Sequence, residues 1–180
     1  LDGEVWIDMS PEELFTHNAV KGRFAVVLDG LVTNSRLGRY FHDRTLVSNP
    51  EAELSTEPDG TLVTYDSFRS GRVRMVKGKH GVMELEGSPD IVLEVVSPSS
   101  VKKDTVVLRE LYWKAGVREY WLIDARRAQP RFDLLRRGRS DWLLSRGQGG
   151  WLASGVPGRS FRLFVKPDEI GLAEYTLEVR

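Results

Sequence analysis

Apolar and polar residues alternate with a period of two over several short stretches of this 180-residue chain, and over two longer stretches they recur with the period of a helix. Val5, Ile7 and Met9 alternate against Trp6 and Asp8 and predict a strand. Ser10, Pro11 and Glu13 follow as a helix start, with a capping serine, a first-turn proline and a capping-box glutamate. A helix of about five turns to near Leu28 is predicted, with Gly30 ending it. Leu14, Asn18, Lys21 and Ala25 mark one stripe of this helix, and Phe15, Ala19 and Val26 another. Pro58-Asp59-Gly60 reads as a turn before a strand from Thr61 to Tyr65. "GRVRMVKGKHGVMELEG" alternates around a glycine-bearing turn and predicts a hairpin. "DIVLEVVS" reads as a central strand and "SPSSVKKD" as a loop. Thr105 to Ala115 reads as a helix, with Leu108, Leu111, Tyr112 and Ala115 in one stripe and Gly116 as the stop. "VREYWLID" is another strand, and the remainder reads as short strands between glycine-rich turns.

Strand, helix, several strands, helix, strand and a β tail make an α/β protein: a mixed β-sheet flanked by helices, with a C-terminal β-hairpin tail. The segment from Asp90 to Asp124 predicts a right-handed crossover between parallel strands. One domain is expected over residues 1–180, with a core over about 1–125 and a β-rich tail over about 126–180. The sequence has no internal repeat.

Composition narrows the function without fixing it. Hydrophobic residues make up 41% and charged residues 29%, ordinary values for a globular protein. Lys plus Arg and Asp plus Glu both number 26, so no broad phosphate-binding coat is visible. The arginine-rich run from Asp124 to Trp142 reads as a solvated hairpin edge rather than a nucleic-acid patch. Absence of cysteine excludes disulfides and thiolate metal sites, and fits a reducing, cytoplasmic setting. No apolar run approaches a membrane span, and the start does not read as a signal peptide. There is no GxSxG, P-loop, HExxH or GxGxxG motif, and His17, His42 and His80 lack zinc spacing. The five tryptophans could stack on bases, but core or hairpin positions suit most of them better.

The chemistry centres on two acids in "SPDIVLEVVSPSS". Asp90, Val92, Glu94 and Val96 share one face of the strand; Ile91, Leu93 and Val95 share the other. Four residues of strand span about 13 Å, too far for Asp90 and Glu94 to grip one small cation together. Glu94 therefore needs a partner from a neighbouring strand or helix, since an ionised carboxylate buried alone is costly. Asp90 reads either as a turn or capping residue after Pro89, or as an acid at the rim of a site. Asp59 could meet Glu94 across a ladder if its strand pairs with "DIVLEVVS", although Pro-Asp-Gly is also an ordinary turn.

"SPDIVLEVVSPSSVKKD" and "LYWKAGVREYWLID" together resemble the Uma-type family of restriction-endonuclease-like proteins in the PD-(D/E)XK nuclease superfamily. The likeness is nearly continuous over residues 88 to 124, plausible over 3 to 66 and thin in the tail. It implies a restriction-endonuclease-like fold with a Mg²⁺ or Mn²⁺ site. Asp59 resembles the first acidic metal ligand and Glu94 the acid of the (D/E)XK element. Asp90 resembles the family's second Pro-Asp aspartate, His17 its first-helix histidine, and Glu4 a further recurring acid. Two departures concern the lysine. The superfamily's position two residues after the acid is Val96 here, and the family's helical position is Leu108, with Arg109 beside it. Arg109 keeps a positive charge but does not lose its proton. Lys102 and Lys103 are nearer substitutes, or else solvated or phosphate-contacting loop charges.

The resemblance thus implies a metal-dependent endonuclease acting on DNA. The competing expectations are a weakened nuclease-fold protein that binds nucleic acid or a protein partner, and a purely structural role for both acids. Trp113 beside Tyr112 must point off the apolar stripe, where it could serve a homodimer contact.

Overall fold

The computed structural model describes residues 12–180. The predicted strand at residues 5–9, the Ser10-Pro11 cap and Glu4 lie outside the described residues. The first helix opens with a wide π turn, Leu14–Asn18, in which the Asn18 N–H donates to the Glu13 carbonyl at 3.0 Å. It continues as α1 (Ala19–Asn34). Gly30 does not end it. Val20, Phe24, Leu28 and Val32 form one fully buried stripe that carries the helix past the glycine. That packing outweighs the ~1 kcal/mol a glycine costs inside a helix.

Four short strands follow: β1 (Gly38–His42), β2 (Leu46–Asn49), β3 (Leu54–Thr56) and β4 (Gly60–Thr64). Tyr65 begins a short helix, α2 (Tyr65–Arg69), rather than ending the strand, because the Thr64 hydroxyl caps it by accepting the Ser67 N–H. The expected hairpin is β5 (Val73–Gly78) and β6 (Gly81–Gly87). Next come β7 (Ile91–Val95), a second π turn at Lys103–Val107, and α3 (Leu108–Lys114). Gly116, at φ +80°, turns the chain into β8 (Glu119–Asp124). The tail supplies β9 (Arg131–Arg137), β10 (Trp142–Leu144), β11 (Leu152–Ser154), β12 (Arg159–Pro167) and β13 (Ala173–Val179).

The central sheet runs β1-β4-β7-β8-β9-β10, with β7 and β8 parallel and the other neighbours antiparallel. Its two faces bury different partners, as the alternation along β7 requires. Ile91, Leu93 and Val95 pack with the α1 stripe and with Phe161, Tyr175 and Leu177 of the tail. Val92 and Val96 pack with Leu108 and Tyr112 of α3. The tail thus contributes two strands to the central sheet and a three-stranded sheet, β11-β12-β13, to the α1 layer. Buried Glu119 ties that layer down by accepting the Trp121 indole N–H at 3.0 Å and the Gly155 N–H at 2.6 Å. A smaller sheet, β3-β2-β6-β5, has its own core of Val47, Val63, Val73 and Leu85. Among the described residues no helix is long and apolar enough to cross a membrane.

Candidate active site

The C-terminal end of β7, the start of β4 and the two π turns border one cleft of about 970 Å³. The β4–β7 register pairs Gly60 with Leu93, so one step further out Asp59 stands opposite Glu94. Asp59 Oδ2 accepts the Val95 N–H at 2.7 Å, which fixes the aspartate against the neighbouring strand. Glu94 is 2% exposed, and its Oε1 accepts the Tyr112 hydroxyl at 2.6 Å. The ladder places one acid and α3 orients the other.

The second π turn adds two groups. Asp104 is 1% exposed and accepts the Ser100 hydroxyl on Oδ2, while its buried Oδ1 has no hydrogen-bond partner. Lys103 Nζ lies 3.4 Å from that Oδ1. The first π turn adds His17, whose Nε2 lies 3.7 Å from Asp59 Oδ2. Lys21, one turn on, reaches 3.6 Å from Asp59 Oδ1 and 2.8 Å from Asp43 Oδ2, and also pairs with Glu12. Asp43 and Arg44 form a tight turn at the cleft edge, with Arg44 at φ +63°, a conformation unusual for a residue other than glycine.

Burial on one cleft works against the charge of three carboxylates. Burial raises the Glu94 pKa well above the usual carboxylate range, and the charges of Asp104 and Asp59 push it further. Burial also raises Asp59, against the Val95 N–H and the positive charges of His17 and Lys21. Asp104 is pushed up to about 6 by burial, against the pull of Lys103 and Ser100. Burial works to lower Lys103, but Glu94 and Asp104 outweigh it and the ammonium is held charged. Such arrangements are typical of functional sites.

The structure therefore brings Asp59, Glu94, Lys103 and His17 together. Asp90 and Arg109 lie elsewhere. Asp90 sits fully buried at the other end of β7, accepting the Thr64 N–H at 2.7 Å and the Ser67 hydroxyl at 2.9 Å and pairing with Arg118 at 2.7 Å. That corrects its placement at the rim: it clamps β4, β7 and α2. Arg109 lines a separate groove of about 450 Å³ with Trp113 and Trp142. Val96 and Leu108 are core residues at 1% and 0% exposure. Lys102 is exposed and does not line the cleft.

Asp104, Lys21 and Tyr112 were not singled out from the sequence as site residues. A signal was present. Asp104 continues the Leu108–Tyr112 stripe one turn earlier, and His17 and Lys21 continue the Phe24–Leu28 stripe. Polar groups at the end of an apolar stripe are delivered to the edge of the core.

Among the described residues no three His, Asp or Glu side chains converge as a finished metal cage. The donor set still fits a hard cation that takes one or two carboxylates and keeps water in its other positions. Asp59 and Glu94 would supply the carboxylates, beside buried Asp104 Oδ1, which has no hydrogen bond and only the Lys103 ammonium at 3.4 Å as a counter-charge.

Residues 1–163 match the Uma2 family model, described as "Putative restriction endonuclease". A solved structure titled as "a putative nuclease belonging to DUF820" from Anabaena variabilis matches at a TM-score of 0.64 and 17% identity, covering 88% of this chain and 81% of that one. At that identity the likeness shows the fold. No curated protein matches the chain.

Proposed function

The chain belongs to the Uma2 family, and from that premise we propose that it is an endonuclease hydrolysing DNA phosphodiester bonds with Mg²⁺ or Mn²⁺. The observation that carries the reading is the opposition of Asp59 and Glu94 across the β4–β7 ladder at the head of a solvent-open cleft. Asp59 and Glu94 would hold the cation. When bound, it supplies an acidified water and a counter-charge for the developing phosphorane oxygens.

The chain's own groups do the rest. Tyr112 holds Glu94 in its rotamer, and Val95 N–H does the same for Asp59. Lys103 stands where a mobile ammonium can orient the attacking water or meet the phosphate charge, the task the superfamily gives to a lysine on the strand. His17 faces Asp59 from the cleft side and can donate to a phosphate oxygen when protonated.

A second reading, nucleic-acid binding with little turnover, is favoured by Val96 and Leu108, which fill both lysine positions with buried apolar side chains. One experiment separates the two. Supercoiled plasmid is incubated with Mn²⁺, Mg²⁺ or EDTA, with wild type and with Glu94→Gln. Metal-dependent nicking that disappears in the variant supports the nuclease. Mn²⁺ binding without nicking, lost in the variant, supports the binder. Neither nicking nor Mn²⁺ binding by wild type sinks the metal readings.

A further inference from the structure

The cleft itself is a poor place to hold a polyanion. Glu12, Glu13, Asp43, Glu57 and the three site acids line it, against His17, Arg44 and Lys103. If the substrate is a nucleic acid, the grip on its backbone must come from elsewhere. The β5–β6 hairpin is built for it.

Its distal half, from Arg74 to Met83, carries Arg74, Lys77, Lys79 and His80 and no acid, in a chain whose net charge is zero. Acids return only at Glu84 and Glu86, and Arg74 pairs with Glu86. Of the remaining basic groups, Lys79 and His80 form the two-residue tip and Lys77 stands on the strand just before it, and all three are exposed. Both faces of the ribbon are open: Met75, Val82 and Met83 are 56%, 51% and 57% exposed. Lysines on an edge strand commonly serve to discourage pairing with other chains. That role does not explain three large apolar side chains beside them, nor charge gathered at the tip instead of along the edge.

The register fixes where the ribbon points. β2 runs parallel to β6, with Leu46 beside Glu84. Asp43 and Arg44, which precede β2, line the cleft, so the residues preceding Glu84 project on the cleft side of the molecule. Val76 is level with Glu84, and three further residues at ~3.3 Å each carry Lys79 roughly 10 Å past the end of β2. The shift between Val76 and Lys77 leaves Met83 as an extra residue, a bulge that twists the tip relative to its base. A two-stranded ribbon of this kind fits the major groove of a duplex, where its flanking lysines meet phosphates and its apolar side chains meet base edges.

We propose that the Arg74–Met83 ribbon is an arm that binds the backbone and groove of duplex DNA beside the cleft. The proposal rests on the nucleic-acid reading of the site and identifies the substrate as double-stranded.

The test measures binding and chemistry separately. Lys77→Ala/Lys79→Ala is compared with wild type, and with Arg136→Ala/Arg139→Ala in the β9–β10 hairpin, where both arginines are exposed, by anisotropy of a labelled short duplex in EDTA and in Ca²⁺ over a salt series. Hydrolysis of bis(p-nitrophenyl) phosphate with Mn²⁺, a substrate too small to reach the arm, reports on the cleft alone. The arm variant should bind roughly tenfold more weakly, with a salt slope smaller by about two, while small-diester hydrolysis and melting temperature stay at wild-type values. The β9–β10 variant should match wild type. Equal affinity and slope in the arm variant overturn the proposal, as does a wild type that binds no duplex in either condition. Small-diester hydrolysis that persists in those cases leaves the cleft reading standing. Duplex binding that depends on the arm without any hydrolysis upholds the arm and removes the nuclease.

Discussion

The Tyr112 hydroxyl donates a 2.6 Å hydrogen bond to Glu94 Oε1, so α3 aims an acid that belongs to β7. The bond also lowers the Glu94 pKa against the burial that raises it. Tyr112→Phe removes a hydrogen bond without changing shape. It should cost about 1 kcal/mol of stability in urea unfolding, as one buried hydrogen bond does. It should also weaken Mn²⁺ binding by roughly 10- to 100-fold at neutral pH, in calorimetric titration, the range for groups that orient a metal ligand. Unchanged Mn²⁺ affinity would mean Glu94 does not bind the ion.

Glu94 is a burden on the fold as well as a candidate ligand. Burial and two neighbouring carboxylates oppose its charge. Glu94→Gln keeps an oxygen for Tyr112 and removes the charge. In EDTA at pH 7.5 its melting temperature should rise by roughly 2–6 °C, a gain of about 1–2 kcal/mol for a chain of this size. With Mn²⁺ the order should reverse, because only wild type gains from the ion. A variant less stable than wild type in EDTA would show that Glu94 is held as structure.

The expectation that Asp59 meets Glu94 came from two local facts, a Pro-Asp at a strand's start and an acid in an apolar strand. Period-two alternation gave the faces of β7 correctly, because that strand is buried on both sides and its register leaves no slack. The lysine was less legible. Spacing along the strand leads to buried Val96, whereas the lysine that lines the cleft is Lys103, which sits in the π turn ahead of α3 and follows no strand spacing. His17 also sits in a π turn, at the start of the first helix, but it lies on the helical stripe that Lys21, Phe24 and Leu28 continue. Asp90 misled for a physical reason: Pro-Asp before a strand reads alike whether its carboxylate faces a cleft or braces the start of α2, and only the three-dimensional positions of Thr64, Ser67 and Arg118 decide.

That clamp makes its own prediction. Asp90 is fully buried and satisfied by two hydrogen bonds and a guanidinium. Asp90→Ala strands the Thr64 N–H and the Arg118 charge, and should cost about 3 kcal/mol or more. Arg118→Ala, which removes a half-exposed partner, should cost less. Neither should alter Mn²⁺ affinity measured on the folded fraction. A selective loss of Mn²⁺ binding in Asp90→Ala, at full folding, would return Asp90 to the site.

The three site acids set an unusual pH dependence. Asp104 keeps its proton up to about pH 6 in the folded chain, against an ordinary value of 3.8. Between those values the folded state binds more protons than the unfolded, so stability falls as pH rises through the window. Asp59 and Glu94 are raised in the same direction. In EDTA the melting temperature should therefore be higher near pH 5 than near pH 7.5, by the equivalent of about 2 kcal/mol. Divalent ions should flatten the difference, and Asp104→Asn should reduce it. A melting temperature that rises with pH over this range would show the cluster to be compensated internally.

Lys103→Met separates the role of this lysine from that of the metal ligands. The ammonium lowers the pKa of Glu94 and pairs with Asp104, so its loss raises the proton affinity of both acids. It also removes a positive charge that repels an incoming cation. The two effects oppose each other on Mn²⁺ affinity, which should stay within a few-fold of wild type. Turnover has no such compensation. A cation that orients water or meets phosphate charge acts in the transition state, and its loss should lower kcat by roughly 10²–10³ with little change in KM. Plasmid nicking and small-diester hydrolysis should fall together, since both need the same centre. If Mn²⁺ binding collapses instead, Lys103 serves to keep Glu94 ionised. If both binding and turnover survive, the cation in the reaction comes from His17 or Lys21, and the corresponding His17→Gln and Lys21→Met variants would then carry the loss.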